Sequence, residues 1–199
     1  REQMIRNFLL ALGLGLFSTA AAACEDYVQL DRAQTTDLLN ELRSPETEPL
    51  FQLFAFETLM CSDQSGVRDL TLRTGAKLNN PTVQSQVLAR ALMEMENIPI
   101  RLLEVEGLSK EQFERIKQRP IENMPVTFRD TSKSCIAFSN KSACDTNGGL
   151  SINGTRATLR TRFNGHGLDG DFLLKDGKLS GILTFTREGQ TYPALIDLF

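Results

Sequence analysis

Apolar residues recur at helical spacing up to about residue 120 and alternate with polar ones from residue 125 onward. Leu38, Leu39 and Leu42 form one stripe and predict a helix over Arg32 to Arg43. Ser44-Pro45 ends it, because proline disfavours helix at the residue before it. Thr47 reads as the cap of a second helix with Pro49 in its first turn. Its run from Leu50 to Phe56, then Leu59 and Met60, is apolar around most of its circumference and predicts a buried central helix. Ser62 to Gly66 breaks it. Val67, Leu70, Thr71, Thr74 and Leu78 predict a third helix. Asn79-Asn80-Pro81 stops that one and opens a fourth, with the stripe Val83, Val87, Leu88, Ala91, Leu92 and Met95. The last two begin at valines 16 residues apart. Two helices make no repeat array, and amphipathic stripes with short loops are all that an antiparallel bundle needs.

Ile98 to Val105 alternates as a short strand. Ser109, with Gln112 three residues on, is a capping box for a helix through Phe113 and Ile116 to Arg119. Pro120 and Pro125 bracket a linker. Beyond it Ala157, Leu159, Thr161 and Phe163 alternate with Arg156, Thr158, Arg160 and Arg162, which predicts a strand with one apolar and one basic face. Asn164 to Gly167, Asp176-Gly177 and Glu188-Gly189 are turns, and Asp-Gly is a strong two-residue hairpin signal. Phe172, Leu174, Leu179, Leu183 and Phe185, then Tyr192, Ala194, Ile196 and Leu198, face a core. Short turns make an antiparallel meander the economical topology. The fold expected is α+β: an N-terminal antiparallel helical bundle over 24–120, then a C-terminal antiparallel β-meander forming a small sheet over 125–199. Each part alone is near the size at which a core is marginal, so the two are expected to pack around a shared one.

The start of the chain changes the picture. Met4 to Asn7 is a short basic stretch, Phe8 to Phe17 an apolar run, and Ser18 to Ala23 a small-residue tail ending in three alanines. That is the three-part pattern of a secretory signal peptide over 1–23. The apolar run is too short to cross the ~30 Å of hydrocarbon that needs ~20 residues. The expected location is therefore periplasmic or secreted.

Four cysteines in an oxidising compartment predict two disulfides. Cys135 and Cys144 are nine apart in a hairpin with Asn140 and Lys141 at its turn, which leaves Cys24 with Cys61. Cys24 would also be the first mature residue, where a bacterial lipoprotein carries its acyl chains. Such signals place leucine three residues earlier, where this chain has Ala21, and acylation would strand an odd thiol. The disulfide is the preferred reading and the lipid anchor the alternative.

With 22 Lys and Arg against 25 Asp and Glu, the net charge of −3 excludes a sequence-independent nucleic-acid binder. A single histidine excludes zinc sites that need two. Gly165 to Gly170 matches G-x-G-x-x-G, but a strand rather than a helix follows, so the dinucleotide reading fails its context. Asn164, His166, Asp169 and Asp171 offer few carboxylates for calcium, which takes about six to eight oxygens. No cofactor and no metal is expected. Arg156, Arg160 and Arg162, with Lys178 as a neighbour, are the candidate docking face for an acidic glycan, a phospholipid head group or an acidic partner. Charges on an exposed strand also serve to blunt sheet association.

Catalytic constellations are thin. The one histidine lies in a glycine-rich turn and there is no G-x-S-x-G. Glu94 and Glu96 point in different directions on their helix. The function expected is an exported, non-catalytic binding or interaction protein whose partner is a protein or an envelope component, without nucleic acid and without a membrane span. The alternative is an exported hydrolase of an envelope or extracellular polymer, using carboxylates that the fold brings together.

Overall fold

The computed structural model describes residues 24, 26–105, 109, 111, 113–114, 121, 123–138, 144, 148–163 and 165–199. Residues 1–23, where a signal peptide is expected, most of the stretch expected as the capping-box helix, and the turn expected at Asn140 lie outside them.

Four helices come first: α1 (Arg32–Arg43), α2 (Pro49–Met60), α3 (Ser65–Gly75) and α4 (Pro81–Glu94). Asp31 caps α1 with a full capping box, its side chain accepting from the Gln34 N–H while Gln34 reaches back to the Asp31 N–H. α2 opens on Pro49 at its first position, and the cap residue is Glu48 rather than Thr47. Asn80 caps α4. α2 packs against α1, α3 and α4, so it is central among the helices. It is not wholly buried: Ala55, Phe56, Leu59 and Met60 face the core, while Leu50, Phe51 and Phe54 stand about half exposed.

Nine strands follow: β1 (Asn97–Ile98), β2 (Ile100–Leu102), β3 (Met124–Asp130), β4 (Cys135–Phe138), β5 (Gly149–Asn153), β6 (Arg156–Phe163), β7 (His166–Lys175), β8 (Lys178–Phe185) and β9 (Gln190–Ile196). They form one antiparallel sheet in the order β1-β3-β4-β5-β6-β7-β8-β9-β2. This corrects the expectation of a small sheet confined to 125–199. β1 pairs with β3 at one edge, Ile98 opposite Met124, and β2 pairs with β9 at the other, Ile100 opposite Ile196. Only Pro99 separates the two edge strands, so the sheet curls until its edges nearly meet. Proline suits that place because it has no N–H to leave unpaired where the chain passes from one edge to the other. Near closure of this kind shortens the edge that another chain could extend, with β1 covering the start of β3 and β2 the end of β9.

Near eight strands, side chains just fill the interior of such a sheet, and here they interdigitate by size. One row across the strands reads Ile152, Ala157, Phe172, Gly181, Ala194 and Leu102. Phe172 thus sits among three small residues that make room for its ring. The next row places Gly170 between Leu159 and Leu183. The buried cluster runs without a break from helical residues such as Phe56, Val87 and Leu88 to Phe138, Phe172 and Phe185 of the sheet.

A Cβ at Gly181 would overlap the Asp171 carbonyl oxygen and come within 2.7 Å of the Phe172 Cα. Both are backbone and cannot swing aside. Gly181→Ala is expected to destabilise by ~3 kcal/mol, the upper part of the usual overpacking range. Gly66 in α3 has open space around its Cβ position, so Gly66→Ala is expected to stabilise by ~0.5–1 kcal/mol through helix propensity. Urea denaturation of the two variants beside the parent checks both signs.

Candidate functional site

Cys24 is bonded to Cys61 and Cys135 to Cys144. The first bridge pins the segment ahead of α1 to the α2–α3 turn. There the Val28 N–H donates to the Cys61 carbonyl at 2.8 Å and the Asp63 N–H to the Val28 carbonyl at 3.0 Å.

The three arginines of β6 all point outward, while Ala157, Leu159 and Thr161 between them are buried. Antiparallel register decides what each one meets. Arg160 lies opposite Asp169, with Nε 3.7 Å from a carboxylate oxygen, and Arg156 reaches Asp171 at 3.5 Å. Arg162 lies opposite Gly167. Thr186 fills the space that a side chain on Gly167 would need. Two of the three charges are thus balanced on the neighbouring strand, and the face is a ladder of exposed ion pairs rather than a uniformly basic surface. Such pairs are worth ~0–1 kcal/mol each. Replacing Arg156, Arg160 and Arg162 together with Ser is expected to shift unfolding by no more than ~0.5 kcal/mol per site, read from the urea midpoint.

The G-x-G-x-x-G stretch runs into β7, a strand, and only Gly165 among its glycines has a positive φ, +84°. Of the calcium candidates, Asp169 and Asp171 are engaged by arginines. The Asn164 and His166 side chains lie outside the described residues. Among the described residues no three His, Cys, Asp or Glu side chains gather as a metal would require.

Two perturbed groups have structural causes. The Ser132 hydroxyl, at 2.6 Å, is the largest influence holding the Asp130 carboxyl below the usual carboxylate range, aided by the Lys133 N–H and ammonium. Burial lowers the Arg90 guanidinium, opposed by Glu94, Glu57 and Tyr27.

The concentrated charge lies elsewhere, in a cleft of about 290 Å³ between the end of α3 and one rim of the sheet. Four segments build it. α3 supplies Arg73 in its last turn and Lys77 just beyond, where cations complement the helix dipole. β2 supplies Arg101. The β7–β8 turn supplies Lys178 and Gly177, and the chain from Leu195 to Phe199 completes the lining. That turn is tight because Asp176 and Gly177 both take positive φ, +51° and +75°. Lys77 lies across it: a Cβ on Gly177 would come 2.9 Å from the Lys77 Cγ.

Four cations and one side-chain carboxylate, Asp197, thus line this cleft. Asp197 is bound by Arg101 at 3.1 Å, an exposed pair of small energetic weight. The Arg73 guanidinium lies 5.4 Å from the centre of the Phe199 ring, a cation–π contact. Lys77 and Lys178 form no ion pair among the described residues. Sequence reasoning singled out only Lys178, as a neighbour of the β6 arginines. Arg73, Lys77 and Arg101 are ordinary polar positions until the fold joins them. No protein-family model, curated protein or solved structure matches the chain, so the cleft is read from its own geometry.

Proposed function

We propose that the protein is an exported, non-catalytic binding protein that holds an anionic ligand in the cleft between α3 and the sheet rim. The observation that carries this reading is the gathering of four cations around one carboxylate in a chain whose net charge is −3. Binding sites favour junctions between structural units, where concave shape and converging polar groups coincide. The helix-to-sheet junction supplies both. Two disulfides are compatible with an extracellular or periplasmic setting. Among the described residues no helix is long and apolar enough to cross a membrane. A carboxylate-dependent hydrolase needs two carboxyl groups across the cleft. Among the described residues lining this cleft, the one side-chain carboxylate is Asp197, already bound to Arg101.

Thermal shift of the disulfide-bonded protein with a panel of anions (inorganic phosphate, citrate, octanoate and octyl phosphate) tests the reading. At least one anion is expected to raise Tm in the parent, with the rise lost in Lys77→Gln/Lys178→Gln. If no anion acts through these lysines, the reading is wrong.

A further inference from the structure

Resting on that reading, we infer that the cleft takes an amphiphilic anion: a carboxylate or phosphate joined to a short alkyl or acyl chain. A site for a bare inorganic ion would be polar throughout. This one sets its cations beside apolar side chains: Leu195 is partly buried and the Phe199 ring is left 43% exposed.

The cations divide by role. Arg101 is tied to Asp197, and Arg73 covers one face of the Phe199 ring while its in-plane N–H groups remain able to donate. Lys77 and Lys178 flank Gly177 and form no ion pair among the described residues. They are the groups free to meet an anionic head. A chain-terminal carboxylate on Phe199 would still leave the cations in excess. The exposed part of the Phe199 ring is then the surface that an adjoining apolar chain would cover. Size sets the length of that chain. At about 290 Å³ the cleft is at the lower end of small-molecule sites, so it encloses a head group and a few carbons rather than a whole lipid.

Isothermal titration of the disulfide-bonded protein with octyl phosphate, octanoate, inorganic phosphate and octyl glucoside separates the terms. Each covered methylene adds about fourfold in affinity. The octyl anions are therefore expected to bind at least about tenfold tighter than inorganic phosphate, and about tenfold tighter than the uncharged glucoside. Lys77→Gln/Lys178→Gln should weaken the octyl anions by about tenfold, with a smaller salt dependence in the affinity that remains. Phe199→Ser should weaken them while leaving inorganic phosphate unchanged.

Inorganic phosphate binding within about twofold of octyl phosphate would overturn the amphiphile and leave the anion site standing. Octyl glucoside binding as tightly as the octyl anions would overturn it from the other side. Absence of any lysine-dependent binding would overturn both the amphiphile and the proposed function. Circular dichroism of each variant confirms that a loss of binding is not a loss of fold.

Discussion

Replacing Cys24 and Cys61 together with serine is expected to destabilise the protein by ~4 kcal/mol, against ~2.5 kcal/mol for the same change at Cys135 and Cys144. The difference follows from loop length: the first bridge spans 37 residues and the second nine. A longer closed loop removes more entropy from the unfolded chain. For a protein of this size the larger loss corresponds to a drop of ~10 °C in Tm. The bridge is not alone in holding its segment. Gln64 donates to the Leu30 carbonyl at 3.0 Å, and Arg68 lies 5.0 Å from the centre of the Tyr27 ring. Those contacts remain in the serine variant, so its native state should keep the parent's circular dichroism while its unfolding midpoint falls. Thermal melts of the two double variants decide the matter. Equal losses would show that native-state contacts, rather than loop entropy, set the worth of each bridge.

Local signals were legible where the fold obeys them locally. A stripe and a following proline mark α1, and Asp176-Gly177 marks the turn between β7 and β8. Alternation along β6 puts its arginines outside and its aliphatics inside. The partners of those arginines were a question of register, which pairs Arg160 with Asp169 across a turn of glycines. The exposed half of α2 was misread for a related reason. A helix that is apolar all round does not reveal which side faces the core, and here Leu50, Phe51 and Phe54 stand about half exposed. Closure of the sheet carried no local signal. Ile100 meets Ile196 across nearly the whole β region, and the short strand around Pro99 divides its pairing between both edges. The cleft was least legible. Its cations come from α3, β2 and the β7–β8 turn, and each alone is an unremarked surface charge. Only tertiary packing gives them a common ligand, because charge density in space has no counterpart along the chain.

Asn80→Ala is expected to lower stability by ~2–4 kcal/mol, well beyond the ~1 kcal/mol that a helix cap alone is worth. Asn80 is 2% exposed and its side chain makes four hydrogen bonds. Its side-chain oxygen accepts from the Thr82 and Val83 N–H groups at 3.1 and 3.3 Å, which caps α4. Its side-chain nitrogen donates to the Pro49 carbonyl at 3.0 Å and to the Gln52 side-chain oxygen at 2.9 Å. Gln52, also buried, donates onward to the Ser44 carbonyl at 2.9 Å. One side chain therefore joins the start of α4 to the start of α2, and through Gln52 to the end of α1. Alanine removes the cap and also leaves a buried Gln52 acceptor without a donor, the more expensive loss. Asn80→Asp separates the two contributions. It keeps an oxygen for the α4 N–H groups but turns an acceptor toward Gln52 and Pro49, so it should be destabilised by at least ~1–2 kcal/mol despite an intact cap. Urea denaturation of both variants supplies the measurement. Parent-like stability in Asn80→Asp would show that the link to α2 contributes nothing and that Asn80 acts as a cap only.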